Sequence, residues 1–294
     1  MTGKGVYSVG MFKAGLALGR LLPRAAAQAI GVAAGRAIAL RRSEQREALR
    51  ANLAHIKGSN GAAVDALCAS NIDHFSRMLA DYFLCAGWDA ARANALLTEW
   101  RGFANLEAAR ARGKGIILVT AHLGNWELGG TLLAIRGLPM TVITLEEPTS
   151  ELTQWRDEQR RRLGIKTIAV GPGHDFAFVE MIHALRRNEV VAMLVDRPYA
   201  GTGTAVKFFG RDAEFSTAPA LLWQHTDAAV VAAFVLQNAD RRYTAFADPA
   251  LPFQRGEDAR QALVQNTQLL ASHFEAIIQR HPEQWFNYVP IWNS

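Results

Sequence analysis

From Val64 onward, apolar side chains recur at intervals of three and four: Leu67, Cys68, Ile72, Phe75, Met78, Leu79, Tyr82 and Phe83. This spacing predicts a helix with one buried stripe, read as core rather than as a lipid channel. Gly58-Ser59-Asn60-Gly61 ahead of it reads as a loop. From residue 115 the pattern alternates, and it predicts strands over 115–120, 140–145, 166–170, 190–195, 204–209, 229–236 and 242–247. Between them, helical spacing predicts helices over 126–136, 150–163, 174–187, 216–226 and 257–280. Strands that alternate with helices imply an α/β fold with a central, mostly parallel sheet flanked by helices.

The N-terminus has a different pattern. Residues 6–40 are rich in Ala, Gly, Leu and Ile, but Lys13, Arg20, Arg24 and Arg36 interrupt them. No window reaches the roughly 20 uninterrupted apolar residues of a spanning helix, and no clean secretory cleavage pattern is present. The longest stretch, Ala25 to Leu40, contains Gln28 and Arg36. One or two amphipathic helices fit, which either lie on a membrane or pack on the domain. The chain therefore divides into an amphipathic N-terminal region over 1–44, a helical lead-in over 45–100 and an α/β catalytic part over 101–294. The last two form one domain, with no internal repeat.

The 294 residues, 50% apolar and 20% charged, suit a folded protein with a sizeable core. Two cysteines, Cys68 and Cys85, lack metal spacing and argue against a disulfide framework. The net charge of +5 favours an anionic partner. In the absence of a zinc-finger or RNA-recognition signature, that partner is read as an anionic lipid surface, an acidic carrier protein or a phosphorylated acceptor rather than nucleic acid.

The chemistry concentrates after the first strand, in Ala121-His122-Leu123-Gly124-Asn125-Trp126-Glu127-Leu128-Gly129. Ligand sites of α/β sheets lie at such carboxyl strand ends. On an unbroken helix His122 and Glu127 would point about 140° apart. A turn at Gly124 removes that obstacle, with Asn125 as helix N-cap. Glu127 could then hold one ring nitrogen of His122 and leave the other free to take a proton. There is no Gly-x-Ser-x-Gly elbow, so the expected nucleophile is a substrate hydroxyl with His122 as general base. The simpler alternative is a histidine that only stabilises the helix start.

His-x-x-x-x-Glu within His122-Leu-Gly-Asn-Trp-Glu127 resembles the bacterial lipid A lauroyl/myristoyl acyltransferase family, a branch of the glycerolipid and lysophospholipid acyltransferases. Further matches run in family order over roughly residues 45–292: Arg50-Ala51-Asn52-Leu53, Gly113-Lys114-Gly115, Arg160 with Gly164, Asp196 at a strand end, Phe208-Phe209-Gly210-Arg211 and Pro282-Glu283-Gln284-Trp285. The chain departs from the family at Asp196-Arg197-Pro198, at Ala218 and at Asn287 to Trp292. The resemblance implies transfer of a fatty acyl chain from acyl carrier protein or coenzyme A to a hydroxyl of a membrane lipid, at the cytoplasmic face of an inner membrane. It also implies His122 and Glu127 as the catalytic pair. A thiolate is a good leaving group (thiol pKa roughly 8.5), so no cofactor or metal is expected beyond the acyl donor.

Gly124, Asn125, Arg160, Asp196, Arg197, Phe209 and Gly210 are the expected substrate-binding positions, with backbone N–H groups near Gly124 as oxyanion donors. Arg156, Arg160, Arg161, Arg162 and Lys166 form a basic cluster that either binds phosphate or makes a solvated face. Arg197 is a second phosphate candidate. Gly171-Pro172-Gly173 and Gly201-Thr202-Gly203-Thr204 read as turns, because neither completes a phosphate-loop motif. Trp285 and Trp292 either line a cleft, face the membrane interface, where aromatic rings are favoured, or pack in the core. Two other functions fit the same residues: an acyl thioesterase, and a non-catalytic lipid-binding protein of the same fold.

Overall fold

The computed structural model describes residues 10, 13, 15, 17, 21–85, 90–147, 149–198 and 203–292. Most of the expected N-terminal helix before residue 21, and Gly201-Thr202 of the second glycine turn, lie outside the described residues. From residue 24 the chain forms α1 (Arg24–Arg41), α2 (Ser43–Lys57) and α3 (Ala62–Cys85), followed by a short α4 (Ala90–Ala95). The α/β part then runs β1 (Leu97–Arg101), α5 (Phe103–Ala111), β2 (Ile116–Thr120), α6 (Trp126–Ile135), β3 (Met140–Leu145), α7 (Ser150–Arg162), β4 (Ile165–Val170), α8 (Ala177–Arg186) and β5 (Val190–Leu194). After these come β6 (Gly203–Phe208), β7 (Arg211–Ser216), α9 (Ala218–Thr226), β8 (Ala229–Gln237), β9 (Tyr243–Ala247) and α10 (Ala259–Arg280).

Seven strands form the central sheet in the order β1-β9-β8-β2-β5-β3-β4. Only β8 and β9 run antiparallel within it. All five residues of β2 are buried, as expected for a parallel strand covered on both faces. Ile117 and Val119 face a core shared with α8, α9 and α10, whereas Ile116 and Leu118 face a second core with α5. The apolar stripe of α3 is largely core, but its last turn is not: Tyr82 lines the cavity described below.

Three features differ from the sequence reading. The helical lead-in ends in an edge strand, β1, whose Thr98, Glu99 and Arg101 are exposed and so give no apolar run. The expected strand at 204–209 is present as β6, but it pairs only with β7 in a separate two-stranded sheet. Its partner β7 carries Arg211, Asp212 and Glu214, which hide it from a hydropathy pattern.

Candidate active site

β2 ends at Thr120, and the chain turns through Ala121 to Gly124 into α6. Gly124 has φ +66°, and a Cβ there would stand 2.2 Å from the Val235 carbonyl oxygen. Only glycine fits this turn without strain. Asn125 caps α6, its Oδ1 accepting the Leu128 N–H at 3.0 Å. The expected strand–turn–helix junction is therefore present, with Gly124 and Asn125 (1% exposed) built into its frame.

The carboxylate that holds His122 is Asp196, not Glu127. In the parallel register Thr120 faces Leu194, and the Val195 N–H donates to the Thr120 carbonyl. Asp196 consequently emerges beside His122. His122 donates from Nδ1 to Asp196 Oδ1 at 2.7 Å, and its backbone N–H reaches both carboxylate oxygens at 3.1 Å. Trp285 Nε1–H and Asn287 Nδ2–H donate to Oδ2 at 3.0 and 2.9 Å. Asp196 is fully buried. Burial pushes its carboxyl up, but His122, the nearby Arg197 charge and the Trp285 hydrogen bond outweigh this and hold it well below the usual carboxylate range. With Nδ1 as donor, Nε2 is left as the basic ring nitrogen.

Glu127 belongs to a different group. Its Oε1 accepts from Arg156 at 2.5 Å and from Arg160 at 3.4 Å. Arg156 also pairs with Glu147 and stands over the Tyr82 ring at 5.5 Å. Burial raises the Glu127 carboxyl, yet the two guanidinium groups prevail and keep it below its ordinary value. The sequence places Glu127 near His122 but is silent on competitors, and two arginines on α7 win the carboxylate. The rest of the basic cluster turns away: Arg161 and Arg162 pair with Glu158, and Lys166 pairs with Glu189.

The expected oxyanion donors at Gly124 are also committed elsewhere. The Gly124 N–H donates to the Gln284 carbonyl and the Asn125 N–H to the Val235 carbonyl, at 2.9 and 2.7 Å. Trp126 and Glu127, at the start of α6, have amides without intrahelical acceptors.

Sequence reasoning missed the role of the C-terminal strap. Leu123 and Trp285 form a single antiparallel bridge, and the Phe286 N–H donates to the His122 carbonyl at 2.6 Å. Asn52 of α2 binds the strap through the Asn287 and Val289 carbonyls, and Asn71 of α3 binds it through the Trp285 carbonyl. The late Pro-Glu-Gln-Trp segment thus meets the turn at Leu123 and Gly124, and the early Arg-x-Asn-Leu segment holds the strap just beyond it; their order along the chain carries no sign of this. Trp285 and Trp292 are both core residues, 0% and 9% exposed.

His122, Trp126, Glu127, Tyr82, Arg156 and Arg160 line a cavity of about 390 Å³. Its remaining wall is mainly apolar, with Leu106, Leu118, Leu133, Met140, Val142, Ala192 and Ala233 and the backbone of Gly129 and Gly130. Arg197 is half-buried beside Asp196. Phe209 and Gly210 do not line the cavity; both have positive φ and form the β6–β7 turn, where the Phe209 carbonyl accepts from His55. Among the described residues, no group of three or more His, Cys, Asp or Glu could hold a metal ion.

Residues 5–294 match the family described as bacterial lipid A biosynthesis acyltransferase. A phosphatidylinositol mannoside acyltransferase of Mycobacterium tuberculosis is 30% identical over 248 residues, 84% of this chain and 77% of the relative. A protein of the same name from Mycolicibacterium smegmatis is 28% identical over 286 residues, 96% of this chain and 90% of the relative. Matched almost end to end, this chain belongs to the bacterial lipid A biosynthesis acyltransferase family and is an acyltransferase.

Proposed function

We propose that this enzyme transfers a fatty acyl chain from a thioester donor, acyl carrier protein or coenzyme A, to a hydroxyl of a membrane glycolipid. One observation carries the reading: a histidine on the wall of an apolar cavity has one ring nitrogen fixed by a buried carboxylate. His122 Nε2 takes the proton of the acceptor hydroxyl, and the oxygen attacks the thioester carbonyl. Collapse of the tetrahedral adduct breaks the C–S bond, and the leaving thiolate recovers the proton from His122. Asp196 orients the ring and balances the imidazolium charge. The Trp126 and Glu127 amides at the start of α6 are helix-terminal donors for the oxyanion. The apolar cavity wall holds the acyl chain.

In this reading Glu127 acts through the arginines. It keeps Arg156 and Arg160 at the cavity wall, where Arg160 meets an anionic group of donor or acceptor. A sugar-bearing phospholipid fits both the arginines and the names of the relatives. Such an acceptor, with a net charge of +5 on the chain, supports work at the cytoplasmic face of an inner membrane, against anionic lipid.

The test is mass spectrometry of membrane lipids from cells with and without the gene, beside a His122→Ala control. A glycolipid heavier by one acyl chain, and absent in the control, establishes transfer and identifies the acceptor. Purified enzyme that releases free fatty acid at equal rate with and without acceptor lipid is a thioesterase and overturns the proposal.

A further inference from the structure

Strand β8 outruns its neighbour. β2 pairs with it only as far as Ala232, yet β8 continues to Gln237, so residues 233–237 present an edge that β2 does not cover. Buried backbone groups on such an edge need partners. The chain supplies them from the site itself. The Val235 carbonyl accepts the Asn125 N–H at 2.7 Å. Further along the edge, Gln237 meets a side chain in place of a strand. Its N–H donates to Gln284 Oε1 at 2.8 Å, and its carbonyl accepts from Gln284 Nε2 at 2.9 Å. Gln284 is 3% exposed. One primary amide stands in for the missing strand residue, with its donor and its acceptor both used.

From Gln284 the backbone turns to His122. The Gln284 carbonyl accepts the Gly124 N–H at 2.9 Å, and the Phe286 N–H donates to the His122 carbonyl at 2.6 Å, on either side of the bridge between Leu123 and Trp285. Trp285 and Asn287, on the same strap, hold Asp196. The strap thus touches both members of the His122–Asp196 pair, and the Gln284 amide fixes it to the sheet. Asn52 and Asn71 tie it to helices α2 and α3. Gln284 does not line the cavity. The same kind of contact occurs in another part of the fold. Asn266 of α10, also 3% exposed, exchanges two hydrogen bonds with the Gln254 backbone, at 2.9 and 2.8 Å.

We infer that Gln284 is a positioning residue for acyl transfer: its side-chain amide sets the strap in register on β8 and so brings His122 against Asp196. This rests on reading His122 as the general base. The experiment compares Gln284→Met, which keeps the length and removes both hydrogen bonds, with Asn266→Leu, which removes the matching pair on α10. Two quantities are read on the full chain. One is transfer from palmitoyl-coenzyme A to detergent-dispersed mannosylated phosphatidylinositol. The other is the downfield proton NMR signal of His122 Nδ1–H, assigned by its absence in His122→Ala. Gln284→Met lowers kcat roughly tenfold to a hundredfold, leaves KM nearly unchanged and moves the proton signal. Asn266→Leu loses stability to urea but keeps the kcat and the signal of wild type. A folded Gln284→Met with wild-type kcat overturns the inference. So does a lowered kcat with an unmoved signal, or an equal effect of Asn266→Leu. If Gln284→Met does not fold, Gln284→Glu, which retains an acceptor for the Gln237 N–H, is read by the same criteria. Failure of both to fold assigns the amide to the fold as a whole and also overturns the inference. Absence of transfer in wild type counts against the proposed function, and the proton signal then still shows whether Gln284 sets the pair.

Discussion

Trp285 donates its indole N–H to Asp196 at 3.0 Å across 89 positions of sequence, and Asp196 in turn holds His122. The tryptophan is fully buried and sits on the strap whose backbone bridges Leu123. It reaches His122, the proposed general base, through the carboxylate, which makes it a positioning residue in that proposal. Trp285→Phe keeps most of the packing and removes one donor to a charged acceptor, an interaction of about 1.5–3 kcal/mol. The expected outcome is a kcat lowered roughly tenfold to a hundredfold with KM nearly unchanged, measured with a purified acceptor and an acyl thioester.

Asp196→Asn tests the carboxylate itself. Trp285 and Asn287 both donate to Oδ2, so an amide keeps its oxygen there, turns its NH2 toward His122 Nδ1 and holds the wrong tautomer; nor can it balance an imidazolium, an exchange that costs about 10⁴ in kcat in serine proteases. A loss of at least 10² is expected here. The residual activity should carry an altered pH profile, with its acidic limb moved to lower pH because the imidazolium has lost its counter-charge. A profile and rate like those of wild type would remove Asp196 from the mechanism.

Glu127→Gln separates the two carboxylates. It leaves Arg156 and Arg160 short of one anion, although Arg156 retains Glu147. A destabilisation of about 1–3 kcal/mol follows, read from urea denaturation, together with a raised KM. The acidic limb of kcat/KM stays where it is in wild type, because the partner of His122 is intact. If Glu127 were the orienting group, that limb would move.

How far the sequence reaches is clear from these residues. The continuous apolar run of β2, the turn at Gly124 and the Asn125 cap are local, and each follows from the type of a few adjacent side chains. The pairing of His122 with Asp196 depends on which strands are neighbours and in what register, and hydropathy periods hold no information on neighbour order. Glu127 is nearest in sequence, and proximity favours it until Arg156 and Arg160 of another helix arrive. The strands β1 and β7 escaped notice because their charged residues face solvent.

Stability should fall in acid in a defined direction. Asp196 and Glu127 are both held below their ordinary values in the fold, whereas the unfolded chain protonates them near pH 3.9 and 4.3, roughly. Between those values and the lower folded ones the unfolded state binds more protons, so stability rises with pH there. The contribution is full above about pH 5 and is lost as pH falls from about 4 toward the folded values. Urea denaturation at stepped pH should show this slope in wild type and a shallower one in Asp196→Asn.

The last prediction concerns chain length. Gly129 and Gly130 let α6 lie close over the sheet: a Cβ on Gly130 would stand 3.3 Å from the Met140 side chain, and both glycines line the cavity. Gly130→Leu fills space that the proposed function gives to the acyl chain. Each methylene that no longer fits forfeits about 0.8 kcal/mol, close to fourfold in binding. With a series of acyl donors, the variant should favour shorter chains than wild type and keep its kcat on the shortest that wild type accepts, because His122 precedes the helix and Asp196 follows β5. Equal loss on every donor would mean that α6 had shifted as a body. An unchanged preference would place the acyl chain outside this cavity.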